Sequence, residues 1–231
     1  MVAKKDARTA KDYLELASSR ADTYLFIASL FYYDSLPAIA KSIRRKTILE
    51  GLTMGGKGSK TLRKFVEEDA PKIKKLRDAL EIEHTALFVM GKLTKGRPYE
   101  SFYMDKDRKI GARVTIDVDK FYNAAGVKFT SAQDEIADYI AIELEFMHHM
   151  CSREATAWRE KDKLHALGYL KFQRDFLTQH LGKWVAPFTD DVLGEAKLDF
   201  FKAACYLLLE FIELEKAEIV DFVEEAEKFE F

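Results

Sequence analysis

Apolar residues recur three and four apart along most of this chain. Leu14, Ala17, Ala21, Leu25, Ala28 and Tyr32 form one stripe, which predicts a first helix over about residues 9–33, ended or restarted at Pro37. A second helix is expected from about Pro37 to Leu52. Pro71 suits a first turn and opens a third, in which Ile73, Leu76, Leu80, Leu87 and Met90 share a stripe and Gly91 marks the end. Further helical patterns run over about 113–125, 131–157, 160–182 and 196–228. Few segments show the two-residue alternation of half-buried strands, and Gly (11) and Pro (4) are scarce. The fold class this predicts is all-α, a multi-helix bundle.

Two segments interrupt the periodicity. Gly55, Gly56, Lys57, Gly58 and Ser59 form the one low-complexity patch; helical spacing resumes on both sides, so residues 53–60 read as a mobile connector rather than a domain boundary. Residues 92–111 hold Gly96, Pro98 and Gly111 with no sustained period and read as a long loop, a length more often functional than idle. With 231 residues, 48% of them hydrophobic, the chain is ample for one core and marginal for two, so residues 1–231 are expected to form a single domain.

A net charge of −2 gives no global reason to expect nucleic acid or an anionic membrane as partner. The distribution is less even. Residues 41–77 hold twelve Lys or Arg against four acids, and residues 190–231 hold thirteen acids against four bases. Two solvated faces that attract one another explain this; recruitment of a basic partner by the acidic end, Glu210 to Glu230, is the sharper alternative. The stretch Met1 to Asp12 is charged and has no apolar segment, and the longest apolar run, Ala203 to Leu209, is too short to span a bilayer. A cytoplasmic protein is expected, without stable membrane insertion, as a monomer or a dimer.

Catalytic patterns are weak. Gly51, Gly56 and Lys57 fit a phosphate-loop frame, but Gly58 stands where a hydroxyl is needed and no strand precedes the loop. Two Glu-x-x-His pairs, Glu81 with His84 and Glu145 with His148, could serve a di-metal carboxylate site in a bundle. At roughly 100° per residue, however, His84 falls inside the Leu80, Leu87 stripe while Glu81 does not, and Glu145 and His148 lie on an outer flank. His148 and His149 are expected to be solvated. No Gly-x-Ser-x-Gly elbow is present, and Cys151 and Cys205 lack a Cys-x-x-Cys spacing or an activating context, so both read as buried free thiols. No enzyme activity and no cofactor are predicted.

The same phase count turns Glu143 and Glu83 inward, where a carboxylate is either hydrogen-bonded within the fold or available to a ligand. Tyr99, Phe102 and Tyr103 are carried by the long loop, where a core role is less automatic. Acids and aromatic side chains beside apolar helix suggest a protein that grips another chain.

These residues resemble the TorD/DmsD/NarJ family of molybdoenzyme maturation chaperones. The resemblance rests on Glu83, Thr85, Leu87 and Phe88, on Pro98, Tyr99, Glu100, Ser101 and Tyr103, and on Phe121, Tyr122 and Gly126. It continues through Asp138, Ile140, Glu143, Leu144, Phe146 and Met147, then Phe176, Leu177, His180, Leu181 and Trp184, and ends with Phe200 to Glu213. Two positions depart from the family pattern: Tyr139 stands where such proteins usually have His, and His84 where they usually have Tyr. The resemblance implies a non-enzymatic, all-helical chaperone that binds the apo catalytic subunit of a molybdopterin-dependent oxidoreductase and its twin-arginine signal peptide, proofreading before export. It implies a peptide- and client-binding surface including Pro98, Tyr99, Glu100, Ser101, Tyr103, Asp138, Tyr139, Glu143 and Phe146.

Overall fold

The computed structural model describes residues 8–50, 52, 55–90, 95–128 and 135–231. Among them the regular structure is helical and no strand forms. The chain runs through α1 (Ala10–Ser29), α2 (Leu36–Arg45), α3 (Gly56–Lys64), α4 (Leu76–His84), α5 (Glu100–Met104), α6 (Ala112–Ala124), α7 (Ile140–Arg159), α8 (Lys163–Gln179), α9 (Leu181–Glu195) and α10 (Asp199–Lys228). Helix α1 packs along α7, α7 against α8, and α10 against α3, α8 and α9.

Local chemistry sets the helix ends. Thr9 and Asp12 cap α1 reciprocally: the Thr9 N–H donates to Asp12 Oδ2 at 2.7 Å, and the Asp12 N–H to Thr9 Oγ1 at 3.3 Å. Asp162 caps α8 through the His165 N–H. Pro37 lies in the first turn of α2, and Lys46 in the left-handed region ends it. At the centre, Arg20 of α1 is buried and donates to Glu215 of α10 and Glu154 of α7. Tyr24 Oη–H, Gln173 Nε2 and Trp158 Nε1 donate to the same two carboxylates. A buried charge is tolerable only when so compensated, and this cluster ties four helices together.

Several expectations are corrected. The Gly-rich patch is not a connector: residues 53 and 54 lie outside the described residues, and from Gly56 the chain is helical. Glycine is needed at Gly58 because a Cβ there would lie 2.6 Å from the Leu207 backbone nitrogen of α10. Glu210 holds the first turn of α3, accepting from the Lys57 and Gly58 N–H groups at 2.7 and 3.1 Å. The basic and acidic stretches thus meet partly within the fold, Lys64 lying 4.0 Å from Asp199. On α10, Glu215 is buried, Glu225 pairs with Arg8 and Glu227 with Lys171, so much of that acidity is already engaged.

Pro71 opens only a short turn, Ala70–Lys72, and α4 starts at Leu76 after extended Ile73. The helix expected over 131–157 begins at Ile140; residues 131–134 lie outside the described ones. Its delay has a cause: the Glu100 N–H donates to Asp138 O at 3.0 Å and the Ile140 N–H to Pro98 O at 2.9 Å, so residues 138–140 are drawn into an antiparallel bridge between Tyr99 and Tyr139. The loop expected at 92–111 contains α5, with residues 92–94 outside the described set. Helix α9, interrupted in sequence by Gly182, Pro187 and Gly194, has no counterpart among the expected helices. Both cysteines are buried free thiols, and burial pushes each thiol far up. No described helix is long and apolar enough to cross a membrane.

Candidate functional site

The bridge at Tyr99 and Tyr139 brings the nine expected binding residues together, but it turns their acids inward. Glu100, Ser101, Asp138, Glu143 and Phe146 are all buried, as are Pro98 and Tyr139, while Tyr99 and Tyr103 are half-buried. Asp138 accepts from the Ser101 N–H at 2.8 Å and from Thr115 Oγ1–H at 2.7 Å. Ser101 Oγ in turn accepts from the Gly111 N–H at 2.9 Å. Glu100 receives His180 Nδ1 at 3.1 Å, and Glu143 receives Trp184 Nε1 at 3.1 Å. The carboxylates expected to face a partner therefore fasten α5, α6, α7 and α9 to one another.

Glu143 is the least satisfied member. Its Oε2 is bonded to Trp184, while Oε1 has no hydrogen-bond partner. Burial pushes its carboxyl well above the usual range, the nearby Glu100 and Asp138 charges add to this, and the Trp184 N–H opposes it. This environment favours the protonated form of Glu143, whose O–H has Glu100 beside it as acceptor.

The two positions that depart from the family pattern meet on one acceptor. His84 Nε2 donates to Phe31 O at 2.8 Å, and Tyr139 Oη–H donates to the same carbonyl at 2.6 Å. Burial lowers the His84 pKa, so the ring is neutral, with Nδ1 left without a partner. The Glu-x-x-His pairs are likewise committed elsewhere. Glu81 is bound by Arg77 at 2.6 Å and Glu145 by Tyr32, while His148, expected to be solvated, is half-buried with Nδ1 bonded to Ala21 O at 2.9 Å. No cluster of three metal-ligating side chains occurs among the described residues.

An open surface lies beside this closed hub. After His84 the helix widens into a π turn, Thr85–Val89, whose Met90 N–H bonds to Thr85 O at 2.7 Å. The extra residue rotates the next side chains by about one position, and Met90 is 78% exposed although its spacing places it on the core stripe. Ile82 (70%) and Val89 (59%) are exposed with it. Ile82 and Met90 form a ridge between two concavities. The first, about 550 Å³, has an apolar floor including Leu87, Val192 and Leu198, with Asp191 and Glu195 as acids and Lys95 and Lys197 as bases along it. The second, about 650 Å³, adds Tyr33, Asp78 and Glu81.

The hub builds the groove's walls. Gly96 N–H and Tyr103 Oη–H both donate to Asp191 Oδ2, at 3.4 and 3.2 Å, joining the α5 segment to α9. Glu83, expected to point inward, is buried and accepts from the Lys197 and Leu198 N–H groups, fixing the turn into α10. Sequence reasoning missed Ile82, Met90 and Glu195 as surface residues, and Val192 and Leu198 as part of the groove's floor. The one signal available was Met90 next to Gly91, where a stripe reaches its end.

Comparison with known proteins adds identity to geometry. A family model described as nitrate reductase delta subunit matches residues 57–190, more than half the chain and a span containing both α4 and the hub. The chaperone protein TorD of Vibrio cholerae is 27% identical over 207 residues, covering 87% of this chain and 92% of that protein. A perchlorate reductase assembly chaperone protein of Dechloromonas aromatica is 26% identical over 159 residues, covering 68% of this chain and 69% of its own. A crystal structure of a redox enzyme maturation protein from Archaeoglobus fulgidus is similar at 21% identity and a TM-score of 0.48, covering 83% of this chain and 93% of that one.

Proposed function

This chain belongs to the nitrate reductase delta subunit family, and we propose that it is a cytoplasmic maturation chaperone for the apo catalytic subunit of a molybdopterin-dependent oxidoreductase. Relatives named as a TorD chaperone and as an assembly chaperone of perchlorate reductase support this reading. So does the observation that carries it: a cluster of large apolar side chains left exposed at Ile82, Val89 and Met90 beside an apolar groove with acids along it. Exposed apolar groups of this kind mark a surface made to be covered. The client segment it suits is the twin-arginine signal peptide, whose apolar stretch lies along the Ile82 and Met90 ridge and whose arginines meet the exposed acids at the rims, Glu195 and Asp78.

In this reading Pro98, Tyr99, Glu100, Ser101, Tyr103, Asp138, Tyr139, Glu143 and Phe146 shape the receptor rather than touch the peptide. They hold the segment that carries Gly96 against Asp191. Covering the two ridge side chains contributes about 2 kcal/mol of net affinity, below their full transfer energy because association and ordering costs offset it, and arginine contacts at the rim contribute selectivity and association rate more than affinity. Titration calorimetry with a cognate signal peptide tests the assignment. Ile82→Ser with Met90→Ser should weaken binding while leaving the melting temperature unchanged; undiminished affinity in that double variant would remove the ridge from the site.

A further inference from the structure

We propose that Met90 is a reversible oxidation site: conversion of its thioether to the sulfoxide by a hydroperoxide makes the ridge polar and releases the client segment. The inference rests on the chaperone reading of the groove and names its regulation. Exposure singles out this sulfur. Of the six methionines, Met1 and Met54 lie outside the described residues. Met147 and Met150 are fully buried in α7, Met104 is 41% exposed, and Met90 is 78% exposed. A thioether in solvent meets an oxidant directly, whereas a buried one meets it only when the chain opens.

Placement makes the sulfur matter. Met90 lines both concavities and, with Ile82, separates them. The widened turn Thr85–Val89 holds it there, since the Met90 N–H bonds to Thr85 O, five residues back. Of the three exposed side chains on the ridge, Ile82 and Val89 are hydrocarbons, and Met90 alone carries an atom that a peroxide oxidises. Met104 lines neither concavity. Because most of the Met90 side chain lies in solvent, its oxidation bears on what covers the ridge rather than on the packed core.

The step balances with a hydroperoxide as oxidant. A sulfur lone pair attacks the outer peroxide oxygen, and the S–O bond forms as the O–O bond breaks. The departing oxygen takes up the hydroxyl proton and leaves as water or an alcohol. Sulfur is oxidised by two electrons and the peroxide is reduced by two. A dithiol reductase reverses the change, the oxygen leaving as water while the two thiols become a disulfide. Oxidation thus replaces a flexible apolar side chain by a polar, chiral one. An apolar segment laid over the sulfoxide buries a strong acceptor and brings no donor to it. By linkage, a bound client disfavours the sulfoxide as much as the sulfoxide disfavours the client, so an empty ridge is open to oxidation and a loaded one is shielded.

Titration calorimetry of the full chain tests this, with a methionine-free synthetic peptide of two adjacent arginines followed by a leucine-rich stretch as probe. Samples are treated with dilute hydrogen peroxide, cleared of it with catalase and mapped by mass spectrometry. Met90 should oxidise before Met104, while Met147 and Met150 stay reduced. The oxidised wild type should bind the probe about tenfold more weakly at an unchanged melting temperature, and methionine sulfoxide reductases should restore the affinity. Treated and untreated M90L should bind alike, whereas M104L should lose affinity on treatment as the wild type does. Met90 that stays reduced, a Met90 sulfoxide that leaves affinity unchanged, or an equal loss in treated M90L overturns the inference and spares the chaperone reading. An untreated chain that does not bind the probe overturns both.

Discussion

The hub around Glu143 and the groove beside Met90 are assembled from the same kinds of residue, carboxylates next to aromatic and aliphatic side chains, yet one is sealed and the other open. The difference lies in the donors. Each hub carboxylate meets N–H or O–H groups delivered from a distant part of the chain: Ser101 and Thr115 for Asp138, His180 for Glu100, Trp184 for Glu143. Glu195, at the groove, is exposed and has no such partner among the described residues. A carboxylate supplied with interior donors becomes a fastening; one left without them stays available to a visitor.

Removing a fastening should therefore act on stability first, and breaking the open surface on binding first. The largest effect is expected for Asp138→Ala, which strands the buried Ser101 N–H and the Thr115 hydroxyl. A loss of about 3 kcal/mol corresponds to a melting point lower by roughly 6–12 °C, measurable by calorimetry. Ile82→Ser with Met90→Ser should cost about 2 kcal/mol of signal-peptide affinity with no thermal shift, the reverse pattern. If the groove variant melts early or the hub variant keeps its stability, the division between the two regions fails.

Glu143→Gln sharpens the comparison from the other side. The folded state raises this carboxyl's pKa, favouring its neutral form, while the unfolded chain ionises it above about pH 4.3. Wild-type stability is accordingly lost as pH rises from there toward the raised folded pKa. Glutamine keeps an acceptor for Trp184 without that loss, so the variant should be more stable by on the order of 1 kcal/mol at pH 8, and the gain should shrink toward pH 5. A gain independent of pH would show that Glu143 is not held neutral. The smallest effect is expected for Glu195→Gln: a few-fold slower association of an arginine-bearing peptide, vanishing at high salt and visible by stopped-flow fluorescence.

Much of the helical architecture was legible because burial repeats every three to four residues, and phase alone turned Glu83, His84 and Glu143 inward. What escaped was set by contacts between segments far apart. Helix α3 begins with Gly56 and Gly58, which look loose until Glu210 and Leu207 of α10 close on them. Helix α9 carries Pro187, yet its buried Trp184, Phe188 and Val192 hold it in place. The site was half legible: its acids could be named, but not the donors 23 to 80 residues away that enclose them. The π turn hid the rest, since a constant 100° step carries Met90 into the core and one inserted residue carries it out.

Phe31 offers a last consequence. Position by position, Tyr139 and His84 look like two separate mismatches to the family pattern. Around the Phe31 carbonyl they form one arrangement, two ring donors that share a single acceptor. Single substitutions toward the family residue, Tyr139→His or His84→Tyr, each place two like rings about that oxygen. Made together they keep a mixed pair of rings about the shared acceptor, so the two positions are coupled and are better exchanged together than singly.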